Sequence, residues 1–300
     1  MVAIEQIRQL LEQLHGDAGK KSSYNFIEVC CTNSTILAFD RSQIFPKYVV
    51  RVGDEVSLRR YWEKLTALNQ LLPQIIPAAV CLSQVAESQW ALVQAGVPGT
   101  PWFTLSSRTK NTKESQRLIT RSLDVLRTFH AAVNTQPGWS VDLTVVDAFE
   151  SDLEKNYAGG IVFPVSAMDQ ISNARVSLRE FDTLSCHWQH GDFCFNNLMF
   201  HGDATYLIDF DDFGKSALPL LDQIGLAFSI AERIPGRSFW GTLKTAVSQS
   251  QYPDLDDCRL RTLVVCHLVN VMAETISVER RQLRQKQLLN TIAELPAVFS

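Results

Sequence analysis

His190-Gly191-Asp192-Phe193-Cys194-Phe195-Asn196-Asn197-Leu198, followed by Leu207-Ile208-Asp209-Phe210, is the stretch that decides how this 300-residue chain is read. It places a carboxylate at 192, an amide oxygen five residues later at 197, and a second carboxylate twelve residues beyond that at 209. Phosphoryl transfer from a nucleotide asks little covalent chemistry of a protein. It needs one acid to orient the attacking hydroxyl and two oxygen ligands for a magnesium ion on the phosphates. Asp192, Asn197 and Asp209 supply that set in that order. Residues 198–200 and 205–208 have the composition of two short strands, and His201-Gly202-Asp203-Ala204 is turn chemistry between them. A hairpin there brings Asn197 and Asp209 to its open end, which gives the spacing a geometric reason.

The chain contains its own control. His201-Gly202-Asp203 repeats the tripeptide, but Ile208 stands five residues after Asp203, where an amide is needed. This second copy reads as a turn only. Asn196 competes with Asn197, and the offset of five from Asp192 selects Asn197.

On these residues the chain resembles the small-molecule kinases of the protein-kinase-like fold, the aminoglycoside phosphotransferase and choline kinase group. Their catalytic loop reads His-x-Asp-x-x-x-x-Asn, followed by two apolar residues and Asp at a strand end. The resemblance implies an α+β, two-lobed protein-kinase-like fold: a small antiparallel β-sheet lobe over 1–96 that binds nucleotide, and a mostly helical catalytic and substrate lobe over 97–300. It implies Asp192 as the catalytic base, and Asn197 and Asp209 as ligands of Mg2+, with ATP or GTP as co-substrate. The family's third-strand lysine falls on Arg51, whose fork can still grip α- and β-phosphates; Lys47 is the reserve. The helix glutamate that pairs with that cation falls on Tyr61, with Glu55 and Glu63 as nearby substitutes. The phosphate loop falls on Cys31-Thr32-Asn33-Ser34-Thr35, which has no glycine. Adenine or guanine would bond the main chain at Ala95 and Val97, which leaves ATP and GTP unseparated. Asp222 aligns with an acid that braces the catalytic loop, and it reads equally as a helix-start carboxylate. His190 and His130 read as structural imidazoles.

The rest of the sequence agrees with that outline. An apolar share of 46% is enough for one large core or two modest ones. A formal charge of −4 argues against a nucleic-acid partner. Seven cysteines without a CxxC spacing fit a reducing cytoplasm better than a disulfide scaffold. No apolar run reaches membrane-spanning length, so no membrane is expected, and a cytoplasmic location is. Nothing here speaks to oligomeric state.

Periodicity predicts a helix over 1–15, strands over 24–31, 34–40 and 47–52, and a helix over 54–72 stopped by Pro73. Two strands near 79–85 and 89–94 lead to Gly96-Val97-Pro98-Gly99-Thr100-Pro101, the best boundary in the chain. Helices are expected over 112–133, 144–156, 164–182, 217–233, 238–249 and 255–292. From 190 to 257 ten acids face four bases, and a cleft of one sign concentrates ligands of the other. The expected partner is therefore a small hydroxylated acceptor, an amino alcohol or amino sugar. Two other classes compete with this reading. A catalytically inactive nucleotide-binding regulatory protein of the same fold is favoured by the missing helix glutamate and disfavoured by the intact Asp192, Asn197 and Asp209. A metal-dependent hydrolase has no multi-histidine spacing to support it. A protein kinase fits poorly, because only twelve residues separate Asp209 from Asp222 and no Ala-Pro-Glu signature lies there.

Overall fold

The computed structural model describes residues 4–14, 24–29, 35–101, 104–105, 112–136, 139, 144–181, 184–216, 218–274, 285–286 and 288–292. The fold is α+β. Two compact units emerge: residues 1–125 with 195–211, and residues 126–194 with 212–300. They do not follow the 96/97 boundary expected from the Gly/Pro cluster. The motif hairpin belongs with the first unit, because Thr100–Pro101 pairs with it and the Leu207 amide donates to the Ile75 carbonyl at 2.8 Å.

In the first unit α1 (Ile4–Leu14) precedes β1 (Tyr24–Val29), β2 (Thr35–Asp40) and β3 (Tyr48–Gly53). Then come α2 (Glu55–Leu71), β4 (Ala79–Ala86) and β5 (Gln89–Ala95). The sheet is antiparallel with strand order β1-β2-β3-β5-β4. Its residues alternate between faces, as a strand's period of two requires. Ile36, Ala38, Val50, Val52, Ala91 and Val93 pack with Ile7, Leu10 and Leu11 of α1 in one cluster. Helix α2 starts where Asp54 accepts a hydrogen bond from the Ser57 amide at 2.9 Å. Its stripe Leu58, Tyr61, Leu65 and Leu68 is buried. Leu65 and Leu68 are wholly inaccessible, and such burial is worth roughly 1.5–3 kcal/mol per side chain.

A second sheet in this unit has the order β6-β7-β8, from β6 (Thr100–Pro101), β7 (Leu198–His201) and β8 (Ala204–Leu207). The β7–β8 hairpin is the one expected, and His201-Gly202-Asp203 is its turn. Arg121 of α3 (Thr112–Val133) holds that turn: its guanidinium donates to the Gly202 carbonyl at 2.8 Å, the Thr205 hydroxyl at 3.0 Å and the Ala204 carbonyl.

The second unit is helical: the end of α3, then α4 (Val145–Ala158), α5 (Val165–Leu178), α6 (Leu221–Arg233), α7 (Phe239–Ser248) and α8 (Asp257–Glu274). Phe149, Leu153, Ile171, Ile224, Leu243, Val264 and Val269 lie in one continuous core. Helix α6 begins at Leu221 rather than at 217, because Leu220 adopts a left-handed conformation (φ 61°) that a helix cannot include. Helix α5 stops at Leu178, short of 182, and the helix expected over 255–292 is described to Glu274, with 275–284 outside the described residues. The expected phosphate loop lies largely outside them too, at 30–34. Among the described residues no helix is long and apolar enough to cross a membrane.

Candidate active site

In the helical unit the loop carrying Asp192 is organised around one buried acid. Asp222 sits in the first turn of α6 with 1% exposure, where a lone carboxylate would be costly. It is fully engaged. The His190 amide donates to it at 2.8 Å, the Gly191 amide at 2.9 Å, and His130 Nε2 lies 2.8 Å away. Gln223 Nε2 lies 3.3 Å from His130 Nδ1, so both ring nitrogens have a polar neighbour. Burial pushes the Asp222 carboxyl up, but the bond and charge of His130, and then His190, outweigh it and hold it below its ordinary value. The two readings of Asp222 thus merge: it starts a helix and braces the loop.

His190 is completely buried, edge-on to Phe129 and Phe193, and its Nδ1 accepts from the Asp192 amide at 3.3 Å. Gly191 is required for two reasons. Its φ of +90° is a conformation that side chains rarely adopt, and a Cβ would lie 2.6 Å from the Asp212 carbonyl oxygen. What this frame presents is Asp192 itself, which is exposed.

In the β-rich unit a second group forms at the open end of the β7–β8 hairpin. Residues 195–197 make a turn of 3-10 helix, leaving Asn196 exposed and Asn197 buried. The Asn197 carbonyl accepts from the Ile208 amide at 3.0 Å, which sets its backbone beside the residue preceding Asp209. Asp209 has a left-handed φ of 66°, a conformation that costs about 1 kcal/mol or more outside glycine.

Arg51 reaches this group from β3. Its Nη2 donates to Asp209 Oδ1 at 2.9 Å and its Nη1 to Asp211 Oδ1 at 2.5 Å. The guanidinium carbon lies 4.3 Å from the centre of the Tyr61 ring. The Tyr61 hydroxyl accepts from the Phe210 amide at 3.3 Å. Burial, foremost, pushes the Tyr61 hydroxyl up to about 12, so it stays neutral at pH 7. Burial also works against the charge on Arg51, but Tyr61 and the two carboxylates hold its pKa above the ordinary arginine value. Asp209 is raised, first by burial and then by Asp211, with Arg51 opposing.

Two expectations about this cation change. Its partners are Asp209 and Asp211, since Glu55 bonds Arg59 at 2.6 Å instead and Glu63 is exposed. Lys47 does not share its place. It precedes β3 and so escapes that strand's alternation, and its ammonium lies over the Tyr24 and Tyr48 rings and 3.9 Å from Asp40.

Ala95 and Val97 flank a close backbone approach at the end of β5. The Ala95 amide donates to the Ala78 carbonyl and the Gly96 amide to the Lys47 carbonyl, each at 2.8 Å. A Cβ on residue 96 would meet the Pro46 carbonyl oxygen at 1.9 Å, so only glycine fits.

The sequence placed Tyr61 at the position that faces this cation and Asp211 among the acids near the metal, but not Tyr61 as a ring beneath the guanidinium or Asp211 as its second anchor. Arg121 it missed. Arg121 sits on a helix face far from the motif in sequence.

No curated protein matches this chain. Solved structures do. A Ralstonia eutropha protein with a provisional aminoglycoside phosphotransferase assignment aligns over 97% of this chain and 96% of its own, at 15% identity and a TM-score of 0.68. A thermostable mutant of aminoglycoside phosphotransferase APH(4)-Ia, in complex with ADP and hygromycin B, aligns over 97% and 99%, at 14% identity and a TM-score of 0.66. The APH(3'')-Id enzyme of Streptomyces rimosus, in complex with ADP and streptomycin, covers 88% and 98%, at 13% identity and a TM-score of 0.57. At such identities these likenesses establish the fold, which is that of the aminoglycoside kinases. The family model described as the phosphotransferase enzyme family matches residues 33–222, well over half of the chain and the whole of the motif region. The chain is therefore a member of the phosphotransferase enzyme family.

Proposed function

We propose that this phosphotransferase moves the γ-phosphate of ATP or GTP to a hydroxyl of a small molecule, with Asp192 as the base that orients that hydroxyl. The observation that carries the reading is the loop around Asp222, where two amides and an imidazole fix the backbone while Asp192 stays exposed. A carboxylate held that way is oriented for a proton rather than for packing.

Magnesium fits the donor chemistry. Asn197 and Asp209 offer oxygen only, and among the described residues no three His, Cys, Asp or Glu side chains cluster as a metal cage. Mg2+ is commonly bound by one or two protein oxygens together with substrate phosphates. Asn197 and Asp209 would hold it, and it would neutralise phosphate charge there. Arg51 would take the α- and β-phosphates, and the Ala95 carbonyl and Val97 amide would meet the base.

For the acceptor, an amine-bearing hydroxyl compound is supported by two lines. Acids outnumber bases by ten to four between 190 and 257. Similar structures hold hygromycin B and streptomycin. A cytoplasmic location accords with a nucleotide-dependent reaction.

The reading is tested by incubating the protein with Mg2+ and ATP or GTP and pooled amino alcohols and amino sugars. Acceptor-dependent release of ADP or GDP is expected. One observation favours a second reading, an inactive nucleotide-binding regulator: Arg51 sits on the carboxylate assigned to the metal. Nucleotide binding with no release for any acceptor selects that one.

A further inference from the structure

We propose that Arg51 is an internal counter-ion of Asp209, held in place by Asp211 and Tyr61, and that it makes metal binding at Asp209 conditional on nucleotide. The proposal rests on the kinase reading, since it concerns the order in which that site fills.

The geometry differs from a chance surface ion pair, which contributes little. The Arg51 side chain is only 20% exposed, and it uses two separate nitrogens for two separate carboxylates, at 2.9 Å for Asp209 and 2.5 Å for Asp211. A lysine ammonium is a point charge and lacks that fork. The planar group also lies on the Tyr61 ring, a cation–π contact. Tyr61 does double duty, because its hydroxyl accepts the Phe210 amide and so fixes the backbone directly after Asp209. Cation, carboxylate and backbone turn are one assembly.

Two consequences follow. The helix position that resembles a cation-pairing glutamate is Tyr61, so the work of aiming the cation passes to Asp211, a positioning residue two places after the metal acid. Further, a divalent ion approaching Asp209 meets a fixed positive charge already on the same oxygen. Without nucleotide that repulsion opposes the metal. A polyphosphate offers the guanidinium another bidentate partner, and Asp211 keeps the side chain tethered while it turns. Asp209 is then open to the metal that arrives with the nucleotide.

Electron paramagnetic counting of free Mn2+, with no nucleotide present, tests this. Arg51→Gln is expected to bind Mn2+ about tenfold more tightly than wild type or better, as removal of an adjacent like charge requires. Arg51→Lys should stay near wild type, and Arg51→Gln combined with Asp209→Asn should lose the gain. Mn2+ affinity of Arg51→Gln no higher than wild type overturns the proposal.

Since Arg51→Gln leaves two neighbouring carboxylates without their cation and can fail to fold, a second measurement uses the wild-type chain. The arginine guanidinium NMR signal that is lost in Arg51→Lys should stay put on adding Mg2+ alone and move on adding Mg2+ with AMP-PNP or GMP-PNP. An equal movement with Mg2+ alone overturns it. The two readings fail separately. ADP release without the Mn2+ gain keeps the kinase and removes the counter-ion, whereas the gain without any release does the reverse.

Discussion

Asp222 and Asp209 are the same residue type placed in two regions of opposite character. Around Asp222 every neighbour donates: two backbone amides and an imidazole meet a carboxylate buried in the helical unit. Around Asp209 one guanidinium is shared with a second carboxylate, and the side chain is 42% exposed on a backbone of positive φ. Their carboxyls shift in opposite directions, downward at 222 and upward at 209. Burial raises both; at Asp222 the donors and nearby imidazoles outweigh it, whereas at Asp209 the charge of Asp211 adds to it against Arg51. A carboxylate with its donors built in is structural, whereas one left short of donors keeps lone pairs that a cation can take. The first region presents Asp192 on a fixed backbone, and the second holds Arg51 between two carboxylates.

The contrast can be broken by substitution. The largest effect is expected from Asp192→Ala, which should lower turnover on a proven acceptor by about a thousandfold, the usual scale for a lost general base. Wild-type turnover in that variant would remove Asp192 from its role. Next comes the frame beneath it. Asp222→Ala strands a buried amide, a half-buried one and an imidazole, and should cost about 3 kcal/mol in urea unfolding. Gly191→Ala forces a Cβ against the Asp212 carbonyl at positive φ and should cost about as much. A loss below about 0.5 kcal/mol in both would mean that the loop is not held as described.

A smaller effect sharpens the comparison through pH. Asp222 has its pKa lowered on folding, so its contribution is present above its unfolded value of about 4 and is lost as pH falls through the lower folded value. The stability gap between wild type and Asp222→Asn should therefore narrow as pH drops below about 4. Asp209 has the opposite sign: its raised pKa favours the folded state below its unfolded value and loses that contribution as pH rises through the folded one. Asp209→Asn is thus expected to leave the melting temperature at pH 7 unchanged or higher, while Asp222→Asn lowers it. A lowered melting temperature in both would erase the distinction.

Much of the fold was legible because the elements are long and periodic. Helix α2 carries its apolar stripe and its stop at Pro73 in plain view, and the β7–β8 hairpin was readable from its turn residues. β6 was not, since two residues including Pro101 have no period to detect. The false start of α6 came from Leu220, whose left-handed backbone is imposed by its surroundings and not by its side chain. In the site, Asn197 was separable from Asn196 by spacing, and the structure buries the one and exposes the other. Of the Arg51 assembly the resemblance brought only Tyr61 to the cation: the two carboxylates lie 158 and 160 residues away, and a tyrosine gives no hint that its ring will lie beneath the guanidinium.

The most direct measurement is equilibrium binding of AMP-PNP or GMP-PNP to Asp192→Ala and Asp209→Ala in the presence of Mg2+, beside wild type. On the proposed reading Asp192 acts at the acceptor and Asp209 at the metal. The account predicts affinity within about twofold of wild type for Asp192→Ala, because a role realised only in the transition state leaves binding intact. It predicts loss of the Mg2+-dependent part of binding for Asp209→Ala. Loss of binding in Asp192→Ala, or wild-type Mg2+-dependent binding in Asp209→Ala, would contradict it.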